Sequence, residues 1–97
     1  MIQKILSTVS NLLSNGIEPK PRMIYAVNGG DYLGEFFVFM AAQGNEYHFL
    51  SLPKMSLRKV PKDKFVSAID SKVLELVEKL PADTYKVCRS QYENIIN

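Results

Sequence analysis

The most restrictive feature of the sequence is the segment 32–40, in which nearly every residue is apolar. In an extended chain Phe36 and Val38 point to one side, and Phe37 and Phe39 point to the other. A strand that is apolar on both sides needs cover on both faces of its sheet. The segment is therefore predicted to be an inner strand.

Two further strands are predicted around this segment. Residues 23–28 are rich in β-forming side chains and are followed by Gly29-Gly30-Asp31, which suits a tight connection. Gln43-Gly44-Asn45 turns the chain into residues 46–52, and Pro53 ends that strand because proline has no N–H to donate. The sequence thus predicts a three-stranded antiparallel meander of order 1-2-3.

Three amphipathic helices are predicted from apolar residues that recur with the helical period. The first covers residues 2–14, and the second covers residues 61–80 with a kink or break near Asp70 as an alternative. The third begins at Ala82 or Asp83 and is marked by Tyr85, Cys88, Tyr92, Ile95 and Ile96. The expected fold class is α+β with the order α-β-β-β-α-α, in one domain over residues 1–97.

This order of elements favours helices gathered on one face of the meander. The other face would keep an apolar row, for which Phe37 and Phe39 are the candidate interface residues. A bare apolar patch on a chain of 97 residues favours self-association, and we expect a homodimer. In the alternative, the third helix crosses to the second face and completes a monomeric sandwich.

Composition excludes several classes of protein. The chain is 46% hydrophobic and 23% charged, which is typical of a globular domain. With one cysteine and one histidine it has neither a disulfide framework nor a cysteine-rich zinc site, so no metal and no cofactor are predicted. No apolar run has the roughly 20 residues of a membrane-spanning helix, and we expect a cytoplasmic protein without a targeting segment.

His48 and Cys88 are the residues best suited to catalysis, and neither has the companions that catalysis needs. His48 has Glu46 on its own strand face but no nucleophile, nucleophile elbow or phosphate-binding loop in sequence reach. Cys88 falls on an apolar helix stripe, where a free cysteine is typical of a packed core. A non-enzymatic protein with no catalytic residues is predicted.

Positive charge is concentrated between residues 54 and 64. This segment has a net charge of +4 in a chain whose total is +2. The segment is expected to be a basic loop leading into the second helix, and its residues are the candidate binding residues. They are Lys54, Arg58, Lys59, Lys62 and Lys64, with Asp63 as the one acid.

The order of helix, three strands and helix, with lysines at the start of the second helix, resembles double-stranded-RNA-binding domains. That resemblance implies that Lys59, Lys62 and Lys64 contact phosphates. The sequence departs from the family's Lys-Lys-x-Ala-Lys pattern, because residues 58–64 read Arg-Lys-Val-Pro-Lys-Asp-Lys. A solvated basic loop, or a patch for an acidic protein partner, is the preferred interpretation, and nucleic acid is the alternative. The predicted function is a small interaction module of adaptor or regulatory type, similar to small bacterial or phage adaptors.

Overall fold

The computed structural model describes residues 18–97, which form five strands and two helices. The strands form one antiparallel sheet of order β4-β3-β2-β1-β5. The elements are β1 (Met23–Val27), β2 (Phe36–Gln43), β3 (Glu46–Leu52), β4 (Ser56–Pro61), α1 (Lys62–Asp70), β5 (Leu74–Lys79) and α2 (Ala82–Ile96).

The predicted three-stranded meander is wrong, because the sheet has five strands. The three predicted strands are its central ones, and a further strand pairs on each side. β4 comes from the segment that was expected to be a basic loop. The predicted helix over residues 2–14 lies outside the described part of the chain.

The second strand also starts later than predicted, at Phe36 instead of Tyr32. Gly34 has φ of 90°, a left-handed value that a strand residue does not adopt. The amide of Leu33 bonds to the carbonyl of Gly30, and the amide of Glu35 bonds to that of Tyr32. Tyr32 and Leu33 therefore lie in the turns that connect β1 to β2, although both residues are apolar.

The predicted helix over residues 61–80 is wrong in its second half. α1 ends at Asp70, and the amides of Ser71 and Lys72 bond to the carbonyls of Ser67 and Ile69, with Lys72 in the left-handed region at φ of 64°. Residues 74–79 then pair with β1. Without β5, the N–H and C=O groups along this edge of β1 would have no strand partner. Hydrogen bonding to β1 therefore outweighs the helical spacing of the apolar residues in this segment.

Helices cover both faces of the sheet, so the expectation that they gather on one face is wrong. Phe65, Ala68 and Ile69 of α1 pack on one face, which we call the α1 face. Tyr85, Cys88 and Tyr92 of α2 pack on the other, the α2 face. The last helix therefore crosses to the second face, which is the arrangement that the sequence analysis gave as the alternative.

Phe49 of β3 is the centre of an aromatic core on the α1 face and is fully buried. Its ring stacks on Phe65 of α1 with a centroid distance of 5.7 Å, and on Phe37 at 5.7 Å. Phe39 meets it edge-on at 5.7 Å. The two candidate interface residues, Phe37 and Phe39, are thus packed inside the chain's own core.

Candidate functional site

The basic segment 54–64 is not a loop, because it contains an edge strand and the first turn of a helix. Arg58 and Lys59 lie on β4, which pairs only with β3 among the described residues. Lys62 and Lys64 lie on the first turn of α1, which follows β4 without a connection. The candidate residues therefore line one margin of the sheet.

Two of the five basic side chains are held by Glu35, whose side chain is only 8% exposed. Lys54 Nζ lies 3.2 Å from Glu35 Oε2, and Arg58 Nε lies 3.4 Å from Oε1. Ser51 donates its hydroxyl to the same carboxylate, and the Arg58 guanidinium covers the ring of Tyr32 at 4.2 Å. The Ser51 hydrogen bond is the main reason why the pKa of Glu35 is lowered, and Arg58 and Lys54 lower it further.

The other three basic side chains point to different sides of the sheet. Lys59 lies opposite His48 in the β3–β4 register and so belongs to the α2 face. Lys62 Nζ lies 5.3 Å from the ring centroid of Tyr47, on the α1 face. Lys64 is exposed on α1. The basic side chains therefore lie on both sides of the edge strand β4 and do not form a patch on one face of the sheet.

The two edges of the sheet differ in regularity. β4 pairs with β3 through an unbroken register from Glu46 opposite Pro61 to Ser51 opposite Ser56. β5 has a register shift against β1, where Val77 has no partner between Leu76 and Glu78. Such a bulge, together with charged side chains, hinders further pairing at an edge. Of the two edges, β4 is the one suited to accept another strand.

A cavity of about 580 Å³ opens on the α2 face beside β4. His48 and Glu46 of β3 and Leu57 and Lys59 of β4 form its sheet side. The C-terminal end of α2 forms its other side with Tyr92, Ile95 and Ile96. The cavity therefore combines an apolar wall with one cation, Lys59, and one acid, Glu46, and it lies at the edge strand.

A contact between His48 and Tyr92 fixes the two sides of this cavity. His48 Nδ1 lies 2.9 Å from the Tyr92 hydroxyl, and His48 Nε2 lies 4.0 Å from Glu46 Oε1. The carboxylate favours the tautomer with the proton on Nε2, which leaves Nδ1 to accept from Tyr92. Burial lowers the pKa of His48, and Lys59 lowers it further against the opposing effect of Glu46. The neutral imidazole is therefore favoured over the imidazolium.

Arg89 also holds α2 in place over the sheet. Its Nη1 donates to the carbonyl oxygen of Met40 at 2.9 Å, and its guanidinium lies 5.3 Å from the ring centroid of Tyr92. Its Nε forms an ion pair with Glu93 at 3.3 Å. Arg89 thus fastens the helix segment that carries the apolar wall of the cavity.

Cys88 is buried one helical turn before Tyr92, in the core between α2 and the sheet. Burial raises the pKa of its thiol, so the reactive thiolate is disfavoured. Across residues 18–97 there is no group of three or more histidine, cysteine, aspartate or glutamate residues arranged to hold a metal ion. In the same part of the chain, no helix has the length and apolar character needed to cross a membrane.

The sequence analysis named the basic residues and placed Glu46 beside His48, but it missed Glu35 and Tyr92 as partners. Glu35 follows a glycine at the start of an apolar strand, and nothing local indicates that it turns inward. Tyr92 was assigned correctly to a helix stripe, yet its contact with His48 spans 44 positions of the chain. Residues 57–60 read Leu-Arg-Lys-Val, which has no period of two, so the local sequence gave no periodic signal for β4.

No protein-family model, curated protein or solved structure matches the chain. The described order of elements also removes the topological basis of the resemblance to double-stranded-RNA-binding domains. Four strands precede α1, and a fifth strand separates it from α2. The function is therefore argued from the geometry of the β4 edge alone.

Proposed function

We propose that the protein is a small non-enzymatic interaction module, of adaptor or regulatory type, that binds an acidic extended segment of a partner protein along β4. One observation carries this proposal. β4 is a regular edge strand with basic side chains on both faces, Arg58 on the α1 face and Lys59 on the α2 face.

An edge strand can bind a peptide by adding it to the sheet. Main-chain hydrogen bonds then supply affinity, and the side chains beside the edge supply specificity. Successive side chains of the added strand point to opposite faces. A segment with acidic residues at adjacent positions would place one carboxylate near Lys59 and the next near Arg58, so the two-sided charge of β4 matches an acidic strand.

The same charge disfavours pairing of β4 with itself. In a symmetric antiparallel pair of two β4 strands centred on Lys59, the two lysines would lie directly opposite each other. Centring the pair on Arg58 would oppose two arginines instead. Like charges at such positions destabilise a sheet, so the favoured partner of this edge is an acidic segment.

Nucleic acid is the less favoured partner, for a geometric reason. Contacts along a phosphate backbone are made best by cations that share one surface. Lys59 lies on the α2 face, whereas Lys62 lies over Tyr47 on the α1 face. The segment therefore does not present its cations on one surface.

Homodimerisation and a cytoplasmic location remain predictions of this proposal. The original reason for a dimer was an uncovered sheet face, and both faces carry helices. A dimer would have to use another surface than Phe37 and Phe39, which are buried. Light scattering during size exclusion decides the oligomeric state, since the monomer has a mass of 11.0 kDa.

The proposal is tested with a fluorescein-labelled peptide of sequence Thr-Val-Thr-Glu-Asp-Phe-Thr-Val-Thr, whose binding is followed by fluorescence anisotropy. The first variant carries Lys59→Glu, Lys62→Glu and Lys64→Glu. The matched control carries Lys72→Glu, Lys79→Glu and Lys86→Glu, three exposed lysines away from β4 with the same change of charge. Both variants are expected to fold, because exposed substitutions typically change stability by about 0.5 kcal/mol or less. Lys62 is half-buried, but it lies in the first turn of α1, where the helix dipole favours an acid.

We expect the first variant to lose peptide binding and the control to keep it. Equal binding by the two variants would show that overall charge, and not the β4 edge, attracts the peptide. A labelled RNA duplex serves as the competing ligand. Stronger binding of the duplex, with log affinity falling steeply and linearly against log salt, would establish the nucleic-acid alternative instead.

A further inference from the structure

We infer that the cavity beside β4 is a specificity pocket that receives one apolar side chain of the bound acidic segment. This inference rests on the proposed function, and it adds the sequence that the partner must have. It follows from where the cavity lies relative to the side chains of β4.

The cavity borders β4, along which an added strand would run. Leu57 and Lys59 of β4 lie on its sheet side, and β4 is the outermost strand on that side of the described sheet. Directly opposed residues in an antiparallel pair project to the same face, with Cβ atoms roughly 5 Å apart. The residues of the partner opposite Leu57 and Lys59 would therefore point to the cavity.

The two positions have different chemistry. Leu57 lines the cavity together with Ile95 and Ile96, which are 39% and 47% exposed. Large apolar side chains exposed together at a cavity mark a site for an apolar group. Lys59 instead offers a cation for a carboxylate. The α2 face thus selects an apolar residue at one position and an acidic residue two positions away.

The intervening residue of the partner points to the α1 face, where it meets Arg58. The two positive charges of Arg58 and Lys54 exceed the single negative charge of Glu35. The partner residue opposite Arg58 is therefore also favoured to be an acid. Along an antiparallel partner the residues face Lys59, then Arg58, then Leu57. The recognised pattern is therefore acidic, acidic, apolar, read from the N-terminus to the C-terminus of the partner.

The pocket is built before the partner arrives. The His48–Tyr92 contact joins β3 to α2, and Arg89 joins α2 to the carbonyl of Met40. Tyr92 is 1% exposed and packs in the core of the α2 face, so the side of the cavity to which it belongs is held in place. A preformed wall lowers the ordering cost of binding an apolar side chain.

Two peptides separate this inference from the proposed function. The first replaces phenylalanine of the labelled probe with serine, giving Thr-Val-Thr-Glu-Asp-Ser-Thr-Val-Thr. The second keeps the composition but reverses the central three residues, giving Thr-Val-Thr-Phe-Asp-Glu-Thr-Val-Thr. We expect each change to weaken binding by about tenfold or more, because the apolar side chain no longer fills the pocket.

Variants of the protein test the wall itself. Ile95→Ser with Ile96→Ser removes exposed apolar side chains of the pocket, and Val87→Ser removes one that is 61% exposed elsewhere on α2. The pocket variant is expected to bind the phenylalanine and serine peptides equally. The Val87→Ser control is expected to keep the preference of the wild type for phenylalanine.

Each result has a distinct meaning. If wild type binds all three peptides equally and charge reversal at β4 abolishes that binding, the pocket inference is overturned while the proposed function stands. If the reversed peptide binds best, the antiparallel register is wrong. If no acidic peptide binds, the proposed function and the pocket inference both fail.

Discussion

His48 Nδ1 lies 2.9 Å from the hydroxyl oxygen of Tyr92, and this contact joins the third strand to the last helix. Both side chains are at least nine-tenths buried. The hydrogen bond thus satisfies two polar groups that would otherwise lack a partner inside the α2 face of the core. It also sets the position of the helix end that forms one wall of the cavity.

Replacing Tyr92 with phenylalanine tests the value of this hydrogen bond. Tyr92→Phe removes the hydroxyl and leaves His48 Nδ1 without its partner, which should lower the free energy of unfolding by about 1 to 2 kcal/mol. For a domain of this size, a loss of about 1 kcal/mol lowers the melting temperature by roughly 4 to 8 °C. Calorimetry measures the change. Tyr85→Phe removes the same group from a half-buried ring of α2 and should have less effect.

The pH dependence of stability should carry the signature of His48. Burial lowers the pKa of the folded-state imidazole below its ordinary value of 6.5. Below pH 6.5 the unfolded chain therefore binds a proton that the folded chain does not, and stability falls as pH falls until the folded pKa is reached. Above this range the contribution of His48 is constant.

His48→Gln removes this titration while keeping a polar group near Tyr92. Urea unfolding between about pH 7.5 and about pH 5 should show a smaller fall in stability for this variant than for the wild type. Parallel curves for the two proteins would show that His48 titrates alike in the folded and unfolded states. The absolute stability of the variant does not enter this comparison.

At lower pH, the protonation of Glu35 should dominate the pH dependence of stability. The hydrogen bond from Ser51, with the Arg58 and Lys54 contacts, holds its pKa below the ordinary value of 4.5. The stabilisation is present above pH 4.5 and is lost as pH falls through the folded pKa, because the unfolded chain takes up the proton first. In urea unfolding, Glu35→Gln should reduce this loss of stability at acidic pH, which we call the acid limb. An unchanged acid limb would mean that other carboxylates account for it.

The prediction of the fold succeeded where one periodicity was decisive. The two-sided apolar segment around Val38 correctly indicated an inner strand, and the stripe from Tyr85 to Ile96 correctly indicated the last helix. In both cases the apolar spacing fits only one type of element over most of its length. Local pattern and tertiary packing therefore agree at these positions.

The prediction failed where the local pattern allowed two structures. Leu76, Val77 and Leu80 continue the helical period of α1, yet residues 74–79 form a strand because β1 offers them a ladder. β4 reads Ser-Leu-Arg-Lys-Val-Pro, in which apolar and polar residues do not alternate, so its pattern did not indicate a strand. The partners of the basic segment were also out of reach, since Glu35 meets Arg58 across 23 positions of the chain. Such contacts depend on sheet order, which local sequence does not specify.

The aromatic core should not tolerate a charge. Phe37 is 4% exposed, and its ring stacks on Phe49. Phe37→Asp would bury an unpaired carboxylate there, and we expect a loss of several kcal/mol, which is enough to unfold most of the protein. Phe39→Asp should behave alike. Phe36→Asp, next along the strand and 42% exposed, is the control and should remain folded by circular dichroism.

The thiol of Cys88 should be protected in the folded protein. It is 2% exposed in the core beneath α2, and burial raises its pKa, so both access and thiolate formation are restricted. Labelling with a chromogenic disulfide reagent should therefore be slow for the native protein and fast in denaturant. Val87→Cys in a Cys88→Ala background moves the thiol by one position, to a site that is 61% exposed. That variant should react quickly without denaturant. Fast labelling of native Cys88 would place this thiol at the surface and would contradict the packing of α2 on the sheet.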